Sequence, residues 1–483
     1  MPPGYQDYKL TTLSFINAIN LNSFPKEPFM KSSDGKTRLI NTLNHIPTDK
    51  IPWVPFAGVH AGKLKGFTAR DILTDGRKLL ESLLEVNRLY DPDRQPVLFD
   101  LQVEAEILGC DLVWAEDAPP SVASHPLAEQ KVIPTQLPEP EDGRLPMILN
   151  VMRQMKEKVG EHTALYGLVT GPFTLASHLR GTDIFLDTID DPNFVHQLMN
   201  FTNQVAQRIA AFYIEAGMDV IAVVDPVTSQ VSPKTFVEFL SEPFSAVFDF
   251  IRDQQASSAF FVCGDATKNI EAMCQTHPDS IAVDENIDMA AVKPITDQYN
   301  IVLQGNIPLT TRMLLGNQED NMKYIIDLMD SLKNHHNLIV SPGCDMPYDT
   351  PVENVIAAVE AIRNPKNARM ILSHYQAADI DLDSVEIPDY KQREIPLMEV
   401  FTLDSSTCAA CGYILGAAER TAETLGDRVE IVEYKITRPE NVARMMKMGI
   451  KNLPCILING ELRFSSLIPN QNDLMQAINE YEQ

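Results

Sequence analysis

The sequence predicts an α/β chain: a (β/α)₈ barrel followed by a second, small α/β domain. Three observations predict it. Short apolar runs alternate with amphipathic helical segments from Lys36 to Arg363. Each run ends in a polar or glycine-containing turn, as at the C-terminal end of barrel strands. Beyond a polar stretch the pattern then changes to a compact βαβαββα order. A doubly wound sheet is the alternative, but the chain shows no Gly-rich phosphate turn of the kind that fold uses for a nucleotide.

Taken in order, residues 1–30 carry no clear periodicity and read as an N-terminal extension. The barrel occupies 31–375. Leu165 to Val169, Val220 to Val224, Ala259 to Val262, Ser280 to Val283, Ile301 to Leu303 and Leu338 to Val340 read as buried parallel strands. Amphipathic segments at Asn193 to Glu215, Pro233 to Gln255 and Thr350 to Ile362 read as helices packed outside them. Residues 376–396 are acidic (Asp379, Asp381, Asp383, Glu386), lack periodicity and read as a linker. The domain at 397–483 has strands at Leu397 to Leu403, Val429 to Tyr434, Cys455 to Ile458 and Leu462 to Phe464. Asn459-Gly460 between the last two is a hairpin signal.

Composition narrows the function classes. The 483 residues are 44 % hydrophobic and 22 % charged, an ordinary globular balance. A formal charge of −26 argues against non-specific nucleic-acid or anionic-membrane binding. No run approaches the roughly 18 apolar residues of a membrane helix, and residues 1–20 lack a signal-peptide pattern. The seven cysteines do not read as a secreted disulfide framework. A cytoplasmic location with reduced thiols, used for metal or redox work, is the expectation.

Two cysteine arrangements carry chemistry. Cys263, in Phe260-Phe261-Val262-Cys263-Gly264-Asp265, and Cys344, in Ser341-Pro342-Gly343-Cys344-Asp345, each follow an apolar run and adjoin a glycine. Two thiolates delivered to one end of a parallel sheet could hold one zinc ion. Cys408-Ala409-Ala410-Cys411 opens a helix after a strand, which is a redox pattern. The helix N-terminus stabilises a thiolate, so Cys408 is the expected attacking sulfur and Cys411 the resolving one.

From Leu397 to Gln483 the chain resembles the small thioredoxins and glutaredoxins. The resemblance implies a cis-proline at Pro454, beside the active cysteines. Thr407 and the Ala-Ala spacer depart from the usual pattern.

The barrel resembles the uroporphyrinogen decarboxylase superfamily across about residues 33–373. The segments that carry the likeness are Val103-Glu104-Ala105-Glu106, Gly171-Pro172-Phe173-Thr174-Leu175-Ala176-Ser177, Asp225-Pro226, Gln304-Gly305-Asn306-Ile307-Pro308 and Asp349-Thr350-Pro351-Val352-Glu353-Asn354-Val355. Cys263-Gly264 and Gly343-Cys344 are similar to its methylcobamide:coenzyme M methyltransferase branch. The Arg-Gln-Ala-Gly-Arg-Tyr segment of the true decarboxylases is absent.

That branch implies one zinc, held by a His-x-Cys pair, a later cysteine and a carboxylate. Here the matching positions are Phe261 and Cys263, then Cys344 and Asp284, so the histidine is replaced. Zinc completed by a ligand from elsewhere (His60 or His178), zinc held weakly by the cysteine pair and completed by substrate, and cysteines kept for another purpose all stay open. Asp225 and Asn306, at predicted strand ends, are candidate contacts to substrate or corrinoid, or structural residues. Asp345 is a further ligand or a loop cap, and His178 is read as a barrel residue. Cys110, Cys274 and Cys455 are read as buried thiols.

The resemblance implies a corrinoid-dependent methyltransferase. It would move a methyl group between a corrinoid carried by a partner protein and a thiol or similar acceptor, the redox domain assisting, with a redox partner possible. The alternatives are a thiol-disulfide oxidoreductase whose barrel only binds substrate, a decarboxylase-like enzyme, and a non-catalytic protein that docks a corrinoid protein.

Overall fold

In the computed structural model of the chain, the described residues are 34–373, 382, 385–402, 405, 409–436, 438–450, 453–465 and 469–481. Seven strands form the main sheet. They are β1 (Arg94–Pro96), β4 (Ala164–Thr170), β5 (Val220–Val224), β6 (Ser257–Val262), β7 (Ser280–Val283), β8 (Val302–Ile307) and β9 (Leu338–Pro342). They run side by side in that order, every neighbouring pair parallel. Between them, β2 (Leu112–Val113) and β3 (Ser121–Val122) pair antiparallel as a small ribbon.

The two edges of the sheet are joined by residues 52–54. Val54 N–H donates to the Val340 carbonyl at 3.0 Å, Val340 N–H to Pro52 at 2.9 Å, and Asp93 N–H to Trp53 at 3.0 Å. The expected eighth strand is thus reduced to the single bridge Trp53–Val340. The cause is local: Pro52 and Pro55 bracket this segment, and a proline has no N–H for the ladder.

Helices cover the outside. Pro192–Glu215 follows Asp191, whose side chain accepts from Phe194 N–H and caps the helix. The expected single helix over 233–255 is instead interrupted by a wider π-type turn at Phe236–Leu240. Inside the sheet, Phe56, Phe99, Tyr166 and Phe261 fill the barrel axis with small strand residues such as Ala222 and Ala259. Among the described residues no helix is long and apolar enough to cross a membrane.

The C-terminal part follows the order β10 (Leu397–Thr402), helix Ala409–Leu425, β11 (Glu430–Lys435), helix Pro439–Lys447, β12 (Cys455–Ile458), β13 (Glu461–Ser465) and helix Gln471–Asn479. Its sheet order is β11-β10-β12-β13, with β10 and β11 parallel and the remaining pairs antiparallel. Asn459 and Gly460 both have positive φ (48° and 79°), which suits a two-residue hairpin turn. In the expected linker, Tyr390 packs back on this sheet, its hydroxyl donating to Glu399 at 2.7 Å, and Arg444 pairs with the same carboxylate at 2.5 Å.

The C-terminal part sits on the barrel. Leu315 packs into the apolar cluster of Phe401, Leu453 and Leu457. Tyr413 packs against the barrel core, and helix Ala409–Leu425 lies against the turn Pro226–Gln230.

Candidate functional site at the barrel mouth

A cavity of about 450 Å³ opens at the C-terminal ends of the strands. Cys263 follows β6, Asp284 follows β7 and Cys344 follows β9, and all three line it, with Asp345 and His178. Leu453 and Pro454 of the C-terminal part complete the wall. The Leu453–Pro454 peptide is cis.

The loops that present the cysteines need their glycines. Gly264 has φ +85°, a region that costs other residues steric strain. A Cβ on Gly343 would stand 2.6 Å from the Glu285 nitrogen, so only glycine lets that loop close beside Cys344. The two thiols meet as a result. Cys263 donates a hydrogen bond that pulls the Cys344 thiol down, but burial and the nearby Asp284 and Asp345 carboxyl groups outweigh it, and the net displacement is upward.

The carboxyl groups around the pair are buried. Asp284 is raised by burial, against hydrogen bonds from Gly264 N–H and from Asn286, whose backbone N–H donates at 2.9 Å and side-chain amide at 2.5 Å. Burial, then the Asp284 charge, pushes Glu285 up to about 8. Burial pushes Asp345 up to about 8 as well, although it accepts from Gly58 N–H at 2.6 Å. Asp345 thus caps the Gly58–Val59 loop, the second of the two roles expected of it. Glu285 drew no attention in the sequence; its acidic neighbour and the apolar run before it were the available signal.

Asp225 and Asn306 do not reach the cavity. Asp225 is fully buried and accepts from Phe173 N–H (2.9 Å), Thr174 N–H (3.1 Å), Thr174 Oγ1–H (2.7 Å) and Thr228 N–H (3.2 Å). It clamps the Gly171-Pro172-Phe173-Thr174 turn to the next loop. A Cβ on Gly171 would lie 2.4 Å from it, which explains that glycine. Asn306 donates to the carbonyls of Asp284 (2.8 Å) and Ile287 (2.7 Å) and accepts from Tyr324 at 2.7 Å, so it latches the Asp284 loop. Both act as positioning residues in this conformation.

The histidines divide. His60 is committed at both ring nitrogens, to Tyr348 O (3.1 Å) and Tyr90 Oη (2.6 Å), and burial pushes it down to about 4. It has no nitrogen left to offer a metal. His178 lines the cavity with a buried Nδ1 that has no hydrogen-bond partner among the described residues, and burial pushes it down to about 4.

Phe261, at the expected histidine position, belongs to the barrel interior. It stacks on Phe56 with centroids 4.7 Å apart and meets Phe99 edge-on at 6.0 Å. Among the described residues no group of three His, Cys, Asp or Glu side chains is arranged to hold a metal. Cys263 and Cys344 face each other, but the donors of this fold do not make up the zinc set that the resemblance implied. Of the other pair, Cys411 is buried in the first turn of helix Ala409–Leu425, and Cys408 lies outside the described residues.

One buried charge escaped sequence reading. Arg94 in β1 is fully buried, its guanidinium 4.1 Å from the centroid of the Tyr166 ring and hydrogen-bonded to Gln304. Burial pushes it down to about 10, and Nε and Nη1 have no hydrogen-bond partner among the described residues.

The model of the family described as "Uroporphyrinogen decarboxylase (URO-D)" matches residues 34–365. The chain belongs to this family. Among curated relatives, a methylcobamide:CoM methyltransferase MtbA from Methanosarcina acetivorans is 27 % identical over 345 residues, covering 68 % of this chain and 98 % of the relative. A methylcobamide:CoM methyltransferase MtaA from Methanosarcina barkeri is 29 % identical, covering 68 % and 96 %. A solved structure described as a methyltransferase from Methanosarcina mazei superposes with a TM-score of 0.63 at 24 % identity, covering 69 % of this chain and 99 % of that one. At that identity the superposition establishes the shared fold, and this URO-D family member carries the C-terminal part in addition.

Proposed function

We propose that the protein is a methyltransferase that moves a methyl group between a corrinoid carried by a partner protein and a thiol bound at the barrel mouth. One observation carries the reading: two hydrogen-bonded cysteine thiols line the cavity at the C-terminal ends of the strands, in a chain that spans nearly the whole length of the methylcobamide:CoM methyltransferases it matches.

The chain's own groups would act on the acceptor. Leu309, Leu314, Leu315 and Met346 give an apolar wall that excludes water and holds the substrate's sulfur close to the methyl group. Asp345 and Glu285, with values near 8, stay largely protonated at neutral pH. They therefore place little negative charge against an attacking thiolate. A methylated corrinoid, when docked, would supply an electrophilic methyl group and take back the electron pair of its carbon–cobalt bond; the acceptor thiol bound here would give its proton to solvent and form the C–S bond.

For the C-terminal part we propose a thioredoxin-like redox domain. Its element order, its β11-β10-β12-β13 sheet and the position of Cys411 at a helix start support this. The same features favour a thiol-disulfide oxidoreductase as the second reading.

Purified full-length protein incubated with methylcobalamin and a panel of small thiols, with and without added zinc, separates the two. Thiol-dependent appearance of the demethylated cobalamin spectrum, lost in a Cys263→Ser/Cys344→Ser double variant, is the expected result. Disulfide reductase activity with no demethylation under any condition overturns the methyltransferase reading.

A further inference from the structure

The cysteine pair at the barrel mouth has an arrangement of its own. Neither cysteine is in a disulfide, both reach the cavity, and their thiols are hydrogen-bonded to each other. They come from strands that are not neighbours in the sheet, β6 and β9, so the contact is built by the two glycine-bearing loops and not by a ladder. Both cysteines pack against the buried cluster that contains Phe56, Phe99 and Phe261. No third donor joins them in a metal-holding group among the described residues. Two reduced sulfurs in contact at a cavity form a dithiol.

We propose that Cys263 and Cys344 form a reversible intramolecular disulfide, with a low-molecular-weight disulfide that enters the cavity as the oxidant. The inference rests on the geometry of the pair and stands whether or not the protein transfers methyl groups. The electrons balance as follows. One thiolate attacks the small disulfide, forming a mixed disulfide and releasing one small thiolate. The second cysteine, losing its proton, attacks the mixed disulfide, closes the Cys263–Cys344 bond and releases the other small thiolate. The pair is oxidised by two electrons, the small disulfide is reduced by two, and both cysteine protons pass to solvent or to the released thiolates. Because the cavity holds both sulfurs, the mixed disulfide forms with its resolving partner already in place, which favours ring closure over a stable adduct.

The test uses the full-length reduced protein treated with oxidised glutathione, quenched with an alkylating agent and digested without reduction. No methyl donor is present, so failure here is separate from failure of methyl transfer. The expected product is a peptide pair linking Cys263 to Cys344, lighter by two hydrogens than the two free peptides together, and restored to free thiols by dithiothreitol. In Cys263→Ser the link disappears and Cys344 retains glutathione as a mixed disulfide. Glutathione found separately on each cysteine of the folded wild-type protein, or both cysteines fully alkylated after prolonged exposure, overturns the proposal. Circular dichroism of each sample distinguishes these outcomes from unfolding, and an alanine variant of the buried Cys274 serves as a control that leaves the link intact.

Discussion

The hydroxyl of Tyr413, in the first helix of the C-terminal part, lies 3.1 Å from the hydroxyl of Ser177 in the barrel. Ser177 already donates to the Thr174 carbonyl at 2.8 Å, so Tyr413 is the donor between them. Tyr413→Phe therefore removes a bond without stranding the serine, and should cost about 1 kcal/mol in urea unfolding. Tyr413→Ala also removes the ring packed on the barrel core and should cost about 3 kcal/mol. Equal costs for the two variants would show that the ring contributes nothing to docking.

Asn306 holds the Asp284 loop through two carbonyls and receives Tyr324. Asn306→Ala leaves those buried groups unpaired and should destabilise the protein by about 2–4 kcal/mol. Methyl transfer should fall by more than the unfolded fraction explains, since the loop that places Asp284 is released. Denaturant titration and initial rates on the same sample check this.

Phe261→His tests the position where the family resemblance fails. Loss of the stack on Phe56 and burial of a polar ring should cost about 2 kcal/mol in the metal-free protein. The new nitrogen stands two residues from Cys263, and zinc should then raise the melting temperature of the variant more than that of the wild type. An equal zinc effect on both proteins would sink the idea.

Asp345 predicts a pH signature. Its folded value of about 8 lies above the ordinary aspartate value of 3.8 because it is buried. The folded state therefore holds a proton that the unfolded state gives up. The corresponding stability is fully present below pH 3.8 and is lost as pH rises through about 8. Asp345→Asn keeps an oxygen for Gly58 N–H and abolishes the titration. Relative to the wild type, the variant should gain stability between pH 4 and 8 by at most about 1.4 kcal/mol per unit. Melting curves across that range measure the slope.

The legible parts of the fold are those where burial repeats. Val220–Val224 and Ser280–Val283 are strands because unbroken apolar runs of that length suit a sheet covered on both faces. β1 escaped because it consists only of Arg94-Gln95-Pro96, where a buried guanidinium imitates a surface loop. Residues 52–54 escaped because prolines leave only one bridge.

At the site, glycine beside cysteine was enough to find the two thiols. Composition could not reveal that Asp225 and Asn306 spend their hydrogen bonds on neighbouring loops. Strand-end position is shared by residues that touch a ligand and residues that hold the loops which do. Nor could it reveal the roof, since Leu453 and Pro454 lie far along the chain from the cysteines they face.

That roof has a consequence. A molecule filling the cavity rests against Cys263 and Cys344 on one side and Leu453 and Pro454 on the other. Its affinity is therefore also adhesion between the two parts of the chain. At a hundred times its dissociation constant it would contribute at most about 2.7 kcal/mol to holding them together. Occupancy inside the barrel is in this way transmitted outward, as a change in how firmly the C-terminal part stays seated.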